Sequence, residues 1–285
     1  MGLPAMRPLL LAGGKSTRMG TPKHLLRMPD GTPLYRRQLQ LLRVIFPEPH
    51  TIYISLAQES ETDDYLDELL AAQPENNPSS SCPSTSLSPS SSSSAAAAAA
   101  AEAPENTDPK REEPKIQILR DRHPNTYKYS AGPAAGLLAA YQYDPWANWV
   151  VVACDYPLLP PDALYLLFLK RDSVPVTCYR SLEGFCEPLL AIWAPPALSR
   201  LAERVARGHA SPAAAARELD ALILDAPPGC EWWLTNVNTM EEWVEAVEEM
   251  KLGSESESGG AGPGPAPPPP PPASFLEAPK GAAAG

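Results

Sequence analysis

Residues 11–23, Leu-Ala-Gly-Gly-Lys-Ser-Thr-Arg-Met-Gly-Thr-Pro-Lys, concentrate the groups that could handle a polyphosphate. Gly13, Gly14 and Gly20 carry no Cβ, so the backbone is free to take positive φ and bring N–H groups against phosphate oxygens. Lys15, Arg18 and Lys23 add three cations within nine residues. The substring Gly14-Lys15-Ser16 does not make a P-loop, because that pattern needs a glycine five residues before Gly14, where Leu9 stands. A glycine-rich turn that merely joins a strand to a helix is the bland alternative, and the Arg and Lys at these offsets weigh against it. The second chemically suggestive stretch is Ala153-Cys154-Asp155-Tyr156-Pro157. A carboxylate at Asp155 suits Mg2+, which takes one or two carboxylates plus phosphate oxygens and keeps its waters. Its plainer job would be to cap the turn before Pro157.

These residues need elements to hold them. The apolar run 8–11 predicts a buried strand ahead of the glycine loop, followed by a helix over 33–45, a strand over 50–55 and a helix over 59–72. After an interruption the pattern resumes with strand 115–119, helix 132–143, strand 148–153, helix 161–171 and strand 174–179. Repeated β-α-β units with apolar strands imply an α/β, Rossmann-like fold, a mostly parallel sheet with helices on both faces. Ligands in such folds bind at the carboxyl ends of the strands, which is where both stretches fall.

The chain has 285 residues, but two segments read as low-complexity. Eleven of the sixteen positions in 79–94 are Ser, 95–101 is all Ala, and six prolines occupy 267–272. Residues 74–114 and 253–285 bury too little apolar surface to offset their ordering entropy and are expected to be disordered. A single domain in two parts, 3–73 and 115–252, remains. The formal net charge is −11, of which the insert carries −4 and the tail −2. No basic excess points to nucleic acid, yet residues 15–43 hold seven Lys or Arg against Asp30 alone. That local excess would draw a polyanionic small molecule.

Five cysteines without a C-x-x-C pair, Cys82, Cys154, Cys178, Cys186 and Cys230, argue against zinc and against a disulfide framework. No apolar run reaches the roughly 18 residues a membrane helix needs, and Arg7 and Pro8 interrupt any signal-like stretch. The expectation is a reducing, cytoplasmic setting with no membrane partner. His24, His50, His123 and His209 are scattered and read as surface or packing residues.

The motif L-x-G-G-x-S-x-R-M-G-x-x-K resembles the signature of nucleotidyltransferases built on a Rossmann-like sheet. With Asp121 after the third strand, Gly132-Pro133-Ala134-Ala135-Gly136, Cys154-Asp155-Tyr156-Pro157, Glu187-Pro188-Leu189-Leu190 and Asn236-Val237-Asn238-Thr239, the chain is similar to the molybdenum-cofactor guanylyltransferase family over about residues 8–250, the insert apart. The resemblance implies the nucleotide-diphospho-sugar transferase-like fold. It also implies that Arg18 and Lys23 bind the triphosphate, with Leu11, Ala12, Gly13, Gly14 and Ser16 forming the nucleotide loop. Asp155 would hold Mg2+, Asp121 would lie at the base or ribose, and Asn236 and Asn238 at the pterin side. A carboxylate at Asp121 could accept from the N–H donors of a 6-oxopurine, or pair on the surface with Arg120 and Arg122. Gly132 and Gly136 allow close approach of a ligand or of a neighbouring element. Glu187-Pro188 reads as a sheet-edge feature, Thr239 with Glu242 as a capping box, and Trp232, Trp233 and Trp243 as core.

Gly13-Gly14 matches the guanylyl members, while Pro22 before Lys23 matches cytidylyl relatives, so GTP is expected over CTP. The expected reaction transfers GMP to the phosphate of a molybdopterin-type acceptor. No covalent protein nucleophile is needed, since positioning and charge neutralisation suffice. Alternatives are a cytidylyl- or sugar-phosphate nucleotidyltransferase, or an inactive nucleotide-binding scaffold whose proline run engages SH3 or WW domains. The presence of Arg18, Lys23 and Asp155 argues against the scaffold.

Overall fold

The computed structural model describes residues 5–13, 19–46, 51–57, 66, 68, 70, 115–120, 132–171 and 173–257. The expected insert at 74–114 lies outside them, as do Gly14, Ser16, Arg18, Asp121 and the proline run at 267–272. The helix expected over 59–72 is described only at Leu66, Glu68 and Leu70, which are helical, with the two leucines buried.

Seven strands form one sheet: β1 (Met6–Leu11), β2 (Ile52–Leu56), β3 (Ile116–Arg120), β4 (Asn148–Ala153), β5 (Val176–Arg180), β6 (Cys186–Trp193) and β7 (Leu222–Leu224). Their order is β3-β2-β1-β4-β6-β5-β7. All pairings are parallel except those of β6, which runs antiparallel to both β4 and β5. Buried on both sides, β4 reads Trp-Val-Val-Val-Ala in its last five residues, the continuous apolar run that a central strand requires. Trp149 and Trp193 stand opposite each other across β4 and β6, both fully buried.

Besides the helical residues Leu66, Glu68 and Leu70, the described residues contain six α-helices around the sheet: α1 (Leu34–Ile45), α2 (Pro133–Tyr143), α3 (Pro161–Lys170), α4 (Pro195–Ala206), α5 (Pro212–Glu218) and α6 (Met240–Glu257). On α1 the buried residues Leu34, Tyr35, Gln38, Leu39, Leu41, Leu42 and Ile45 recur at helical spacing and face the sheet. Helices α1 and α3 pack together, whereas α2 packs with α4, and α4 with α5. Because α1 and α2 both rest on β1 and β2, the two groups occupy opposite faces. Helix α6 continues through Glu257, past position 253 where the tail was expected to begin. A single Gly253 costs a helix only about 1 kcal/mol. Among the described residues no helix is long and apolar enough to cross a membrane.

Two features decide how the sheet carries the rim. Pro188 is not at a sheet edge, as the sequence suggests, but inside β6, between two hydrogen-bonded neighbours. Proline is tolerated because the β5–β6 register shifts between Cys178 and Tyr179, while the β4 ladder reaches only to Leu190, so the pairing is interrupted at Pro188. The second feature is Gly136. A Cβ there would sit 2.6 Å from Ser55 Oγ and 2.8 Å from Leu11 Cδ2, so its absence lets α2 lie directly on β1 and β2. Gly136→Ala should therefore destabilise the fold by about 1–2 kcal/mol, an overpacking cost partly offset by alanine's better helix propensity. Chemical denaturation of the two proteins measures it, and an unchanged midpoint would show that the layers separate without strain.

Candidate active site

Parallel pairing of β1 and β4 sets Leu11 beside Ala153, so both strands leave the sheet at the same rim. Cys154 N–H donates to the Leu11 carbonyl at 3.2 Å. Ala12 and Gly13 both donate their N–H groups to the Ser55 carbonyl of β2, each at 3.1 Å. These bonds correct one expectation. Gly13 is not among the positive-φ glycines, and its amide is already engaged by the sheet. Its missing Cβ is demanded instead by β2, since a methyl group there would lie 2.8 Å from the Ala57 nitrogen. Gly20 does adopt the left-handed conformation, at φ 65°, and turns the chain toward Lys23.

Lys23 opens a 3-10 turn, Lys23–Leu25, behind Pro22. The next residue, His24, is 2 % exposed and packs beneath this turn. Burial pushes its imidazole down to about 4, against the smaller opposing effect of the Ala12 backbone. The lysine side chain points to the rim, where Nζ lies 3.0 Å from Asp155 Oδ1 and donates to Asn238 Oδ1 at 3.0 Å. Asp155 is one residue beyond Cys154 at the exit of β4, and Asn238 is 215 positions from Lys23 in the chain. Both charged side chains are largely covered, 17 % exposed for Lys23 and 27 % for Asp155, so solvent screens the pair less than a surface ion pair.

The asparagines arrive on the segment before α6. Val237 N–H donates to the Asp155 carbonyl at 2.9 Å, and Asn238 Nδ2 donates to Asn236 Oδ1 at 3.2 Å. The start of α6 is fixed by a capping box. Glu242 N–H donates to Thr239 Oγ1 at 3.2 Å, and Glu242 Oε2 accepts from the N–H groups of Thr239 at 3.1 Å and Asn238 at 2.5 Å. Of the predicted site residues, Lys23, Asp155, Asn236 and Asn238 thus form one connected group, and Leu11, Ala12 and Gly13 form the adjoining strand exit. Arg18, Gly14, Ser16 and Asp121 lie outside the described residues. Trp233 and Trp243 are buried in the core, whereas Trp232 is 46 % exposed.

A second layer surrounds Asp155. Tyr156 OH donates to Glu187 Oε2 at 2.5 Å, and the buried Gln38 Nε2 donates to the Tyr156 carbonyl at 2.7 Å. Burial, then the nearby Glu187 carboxylate, holds the Tyr156 phenol well above its ordinary range, so it is the donor in that pair. Burial also raises the Glu187 carboxyl, with Asp155 adding to the rise and the Tyr156 hydrogen bond opposing it. Burial lifts the Cys154 thiol far above its normal range and leaves it inert. Sequence assigned Gln38 no role, and read Glu187 only as part of a sheet-edge feature with Pro188. The signal for Gln38 was a single amide on the otherwise apolar face of α1.

Around Asp155 the donor set is oxygen: one carboxylate and the amide oxygens of Asn236 and Asn238. Among the described residues no group of three His, Cys, Asp or Glu could enclose a metal. One carboxylate with neighbouring oxygens fits Mg2+ brought in by a polyphosphate, and does not fit zinc or an all-protein calcium cage.

The model of the MobA-like NTP transferase domain matches residues 8–109 and 98–222. The chain belongs to the MobA-like NTP transferase family. A molybdenum cofactor biosynthesis bifunctional protein of Synechocystis is 28 % identical over 116 residues, which are 40 % of this chain and 33 % of that protein. A protein of Rhodopirellula baltica named "probable molybdenum cofactor guanylyltransferase" is 46 % identical over 57 residues, 20 % of this chain and 26 % of the relative. The alignments thus span about a third and a quarter of these relatives. The crystal structure of molybdopterin-guanine dinucleotide biosynthesis protein A from Archaeoglobus fulgidus superposes with TM-score 0.56 at 17 % identity, covering 87 % of this chain and all of that one. A nucleotidyl transferase from Methanothermobacter gives TM-score 0.55 at 11 % identity over 87 % of this chain and 99 % of the other. The fold of this NTP transferase family member is therefore the nucleotidyltransferase fold.

His24 makes the site's foundation acid-sensitive. Between pH 6.5 and about 4 the unfolded chain binds a proton at this residue and the folded chain does not, so stability falls as pH falls. The loss should approach about 1.4 kcal/mol per pH unit in that window. Denaturant unfolding from pH 7 to 4 should show His24→Asn with a correspondingly flatter dependence than the natural protein. Parallel curves would mean that His24 is protonated in the fold.

Proposed function

We propose that the chain transfers GMP from GTP to the terminal phosphate of a molybdopterin-type acceptor, releasing pyrophosphate. The observation that carries this reading is the meeting of Lys23, Asp155 and Asn238 at the rim where β1 and β4 end. Family membership supports nucleotidyl transfer. The guanylyl specificity is supported by the name of the Rhodopirellula relative and by the Gly13-Gly14 pair, and the acceptor by the molybdenum cofactor that both relatives' names contain.

In this reading an acceptor phosphate oxygen attacks the α-phosphorus in line. The new P–O bond forms as the bond from the α-phosphorus to the bridging oxygen breaks, and pyrophosphate leaves with the electron pair. Lys23 exchanges its carboxylate partner for phosphate oxygens and neutralises the charge that grows on the leaving group. Asp155 would hold Mg2+, with an amide oxygen of Asn236 or Asn238 within reach of the same region. The ion, when bound, supplies charge neutralisation across the phosphates. Arg18 is assigned to the triphosphate, Leu11, Ala12, Gly13, Gly14 and Ser16 to the nucleotide loop, Asp121 to the guanine or ribose, and Asn236 and Asn238 to the acceptor. Because Ala12 and Gly13 direct their N–H groups to Ser55, the loop's phosphate contacts fall to Gly14 and the residues after it. The free thiols of Cys154, Cys178, Cys186 and Cys230 accord with a reducing, cytoplasmic setting.

Lys23→Ala and Asp155→Ala should each lower kcat on the order of 10² to 10³, as loss of a preorganised charge does, with an unchanged circular dichroism spectrum. Near-full turnover in either variant would remove that residue from the mechanism. Thermal unfolding with Mg·GTP, Mg·CTP and Mg·ATP tests the base. A ligand at 100 times its Kd adds about 2.7 kcal/mol, or roughly 5–10 °C here. The shift should occur with Mg·GTP and vanish with EDTA. A shift with CTP alone would make the chain a cytidylyltransferase, and none with any nucleotide would favour the scaffold.

A further inference from the structure

The turn Asp155-Tyr156 belongs to no helix or strand, yet three separate elements grip it. Val237, before α6, donates to the Asp155 carbonyl at 2.9 Å. Gln38, fully buried on α1, donates to the Tyr156 carbonyl at 2.7 Å. Tyr156, 1 % exposed, donates its hydroxyl to Glu187 at the start of β6, at 2.5 Å. Packing alone does not call for this arrangement. Burying an amide and a phenol is costly unless each finds a partner, and apolar residues of similar size would fill the same space. Glu187 also keeps a second carboxylate close to Asp155, where like charges repel.

What these groups share is the backbone on which the Asp155 carboxylate stands. Mg2+ demands near-ideal octahedral geometry and tolerates little error in ligand direction. We propose that Glu187, Tyr156 and Gln38 are positioning residues that aim the Asp155 carboxylate at the divalent cation, an inference that rests on the metal role given to Asp155 above. The chain reaches this geometry through its topology. Because β6 runs antiparallel beside β4, its first residues lie at the rim where β4 ends, and there Glu187 accepts from the Tyr156 hydroxyl.

The test uses the full-length protein with Mn2+ as a paramagnetic probe, titrated by electron paramagnetic resonance in the presence of an α,β-methylene GTP analogue. Tyr156→Phe and Glu187→Ala should weaken Mn2+ binding by about tenfold, the lower end of what outer partners of a metal ligand are worth. The half-saturating Mn2+ concentration for turnover should shift in parallel, with the acceptor KM unchanged. Glu187→Gln should stay near the natural protein, because its amide oxygen still accepts from the phenol. Asp155→Ala serves as the reference for full loss. Natural-strength Mn2+ binding in both Tyr156→Phe and Glu187→Ala, with Asp155→Ala deficient, would overturn the positioning role and leave the metal role of Asp155 standing. A natural protein that binds no Mn2+ with the analogue would overturn both. A change confined to the acceptor KM in the Glu187 variants would put Glu187 on the acceptor and also overturn the proposal. Tyr156→Phe conserves volume, so it decides the matter even if Glu187→Ala fails to fold.

Discussion

The parallel pairing of β1 with β4 is the constraint on which the site depends. It runs in register from Met6 opposite Asn148 to Leu11 opposite Ala153, so the two chains leave the sheet side by side. One exit leads to Lys23 and the other to Asp155. A slip of one residue would turn every side chain of one strand to the opposite face, setting Leu10 or Val152, which have no solvent contact in the fold, against the wrong packing partners. The register is therefore enforced by the core, and the rim inherits its geometry from apolar packing that takes no part in chemistry.

On that foundation the charged and amide groups at the rim are linked to one another. Lys23 lies between a carboxylate and an amide oxygen, Asn238 passes its own amide to Asn236, and the backbone of the same segment is pinned to Asp155 and to Glu242. A buried charge that loses its partner is costly, so a half-covered ion pair keeps both groups at the rim in the absence of ligand. Behind them, neutral His24 is buried under the lysine's turn. Charge sits at the surface of the site, and the supports beneath it are neutral or hydrogen-bonded.

The alternation of elements was legible because it is local. Apolar runs of strand length alternate with helical periodicity, and Asp155 stands one residue past such a run and Cys154. The glycine loop, the strand ends and the capping box at Thr239 were likewise visible in short windows of sequence. Other features were not. Gly13 was read as a conformational glycine and proves to be a steric one, because the atom that excludes its Cβ belongs to Ala57, just past the end of β2. Pro188 was read as an edge residue and lies in an interior strand, because strand order is set by pairing between distant segments. The partnership of Gln38 with Tyr156, and of Tyr156 with Glu187, joins residues on three elements and has no periodic signature.

By itself, then, the sequence determined the class of fold, the two chain exits that carry the charged residues, and the chemical types available there, since these follow from hydrophobic periodicity and from what lysine, aspartate and asparagine can bind. Only the tertiary structure decided that Lys23, Asp155 and Asn238 meet within 3.0 Å, that β6 enters the sheet in reverse beside β4, and that a tyrosine and a glutamate stand behind the aspartate. Distances between residues separated by more than a hundred positions are set by how sheets and helices pack, and side-chain burial, not local pattern, selects among those packings.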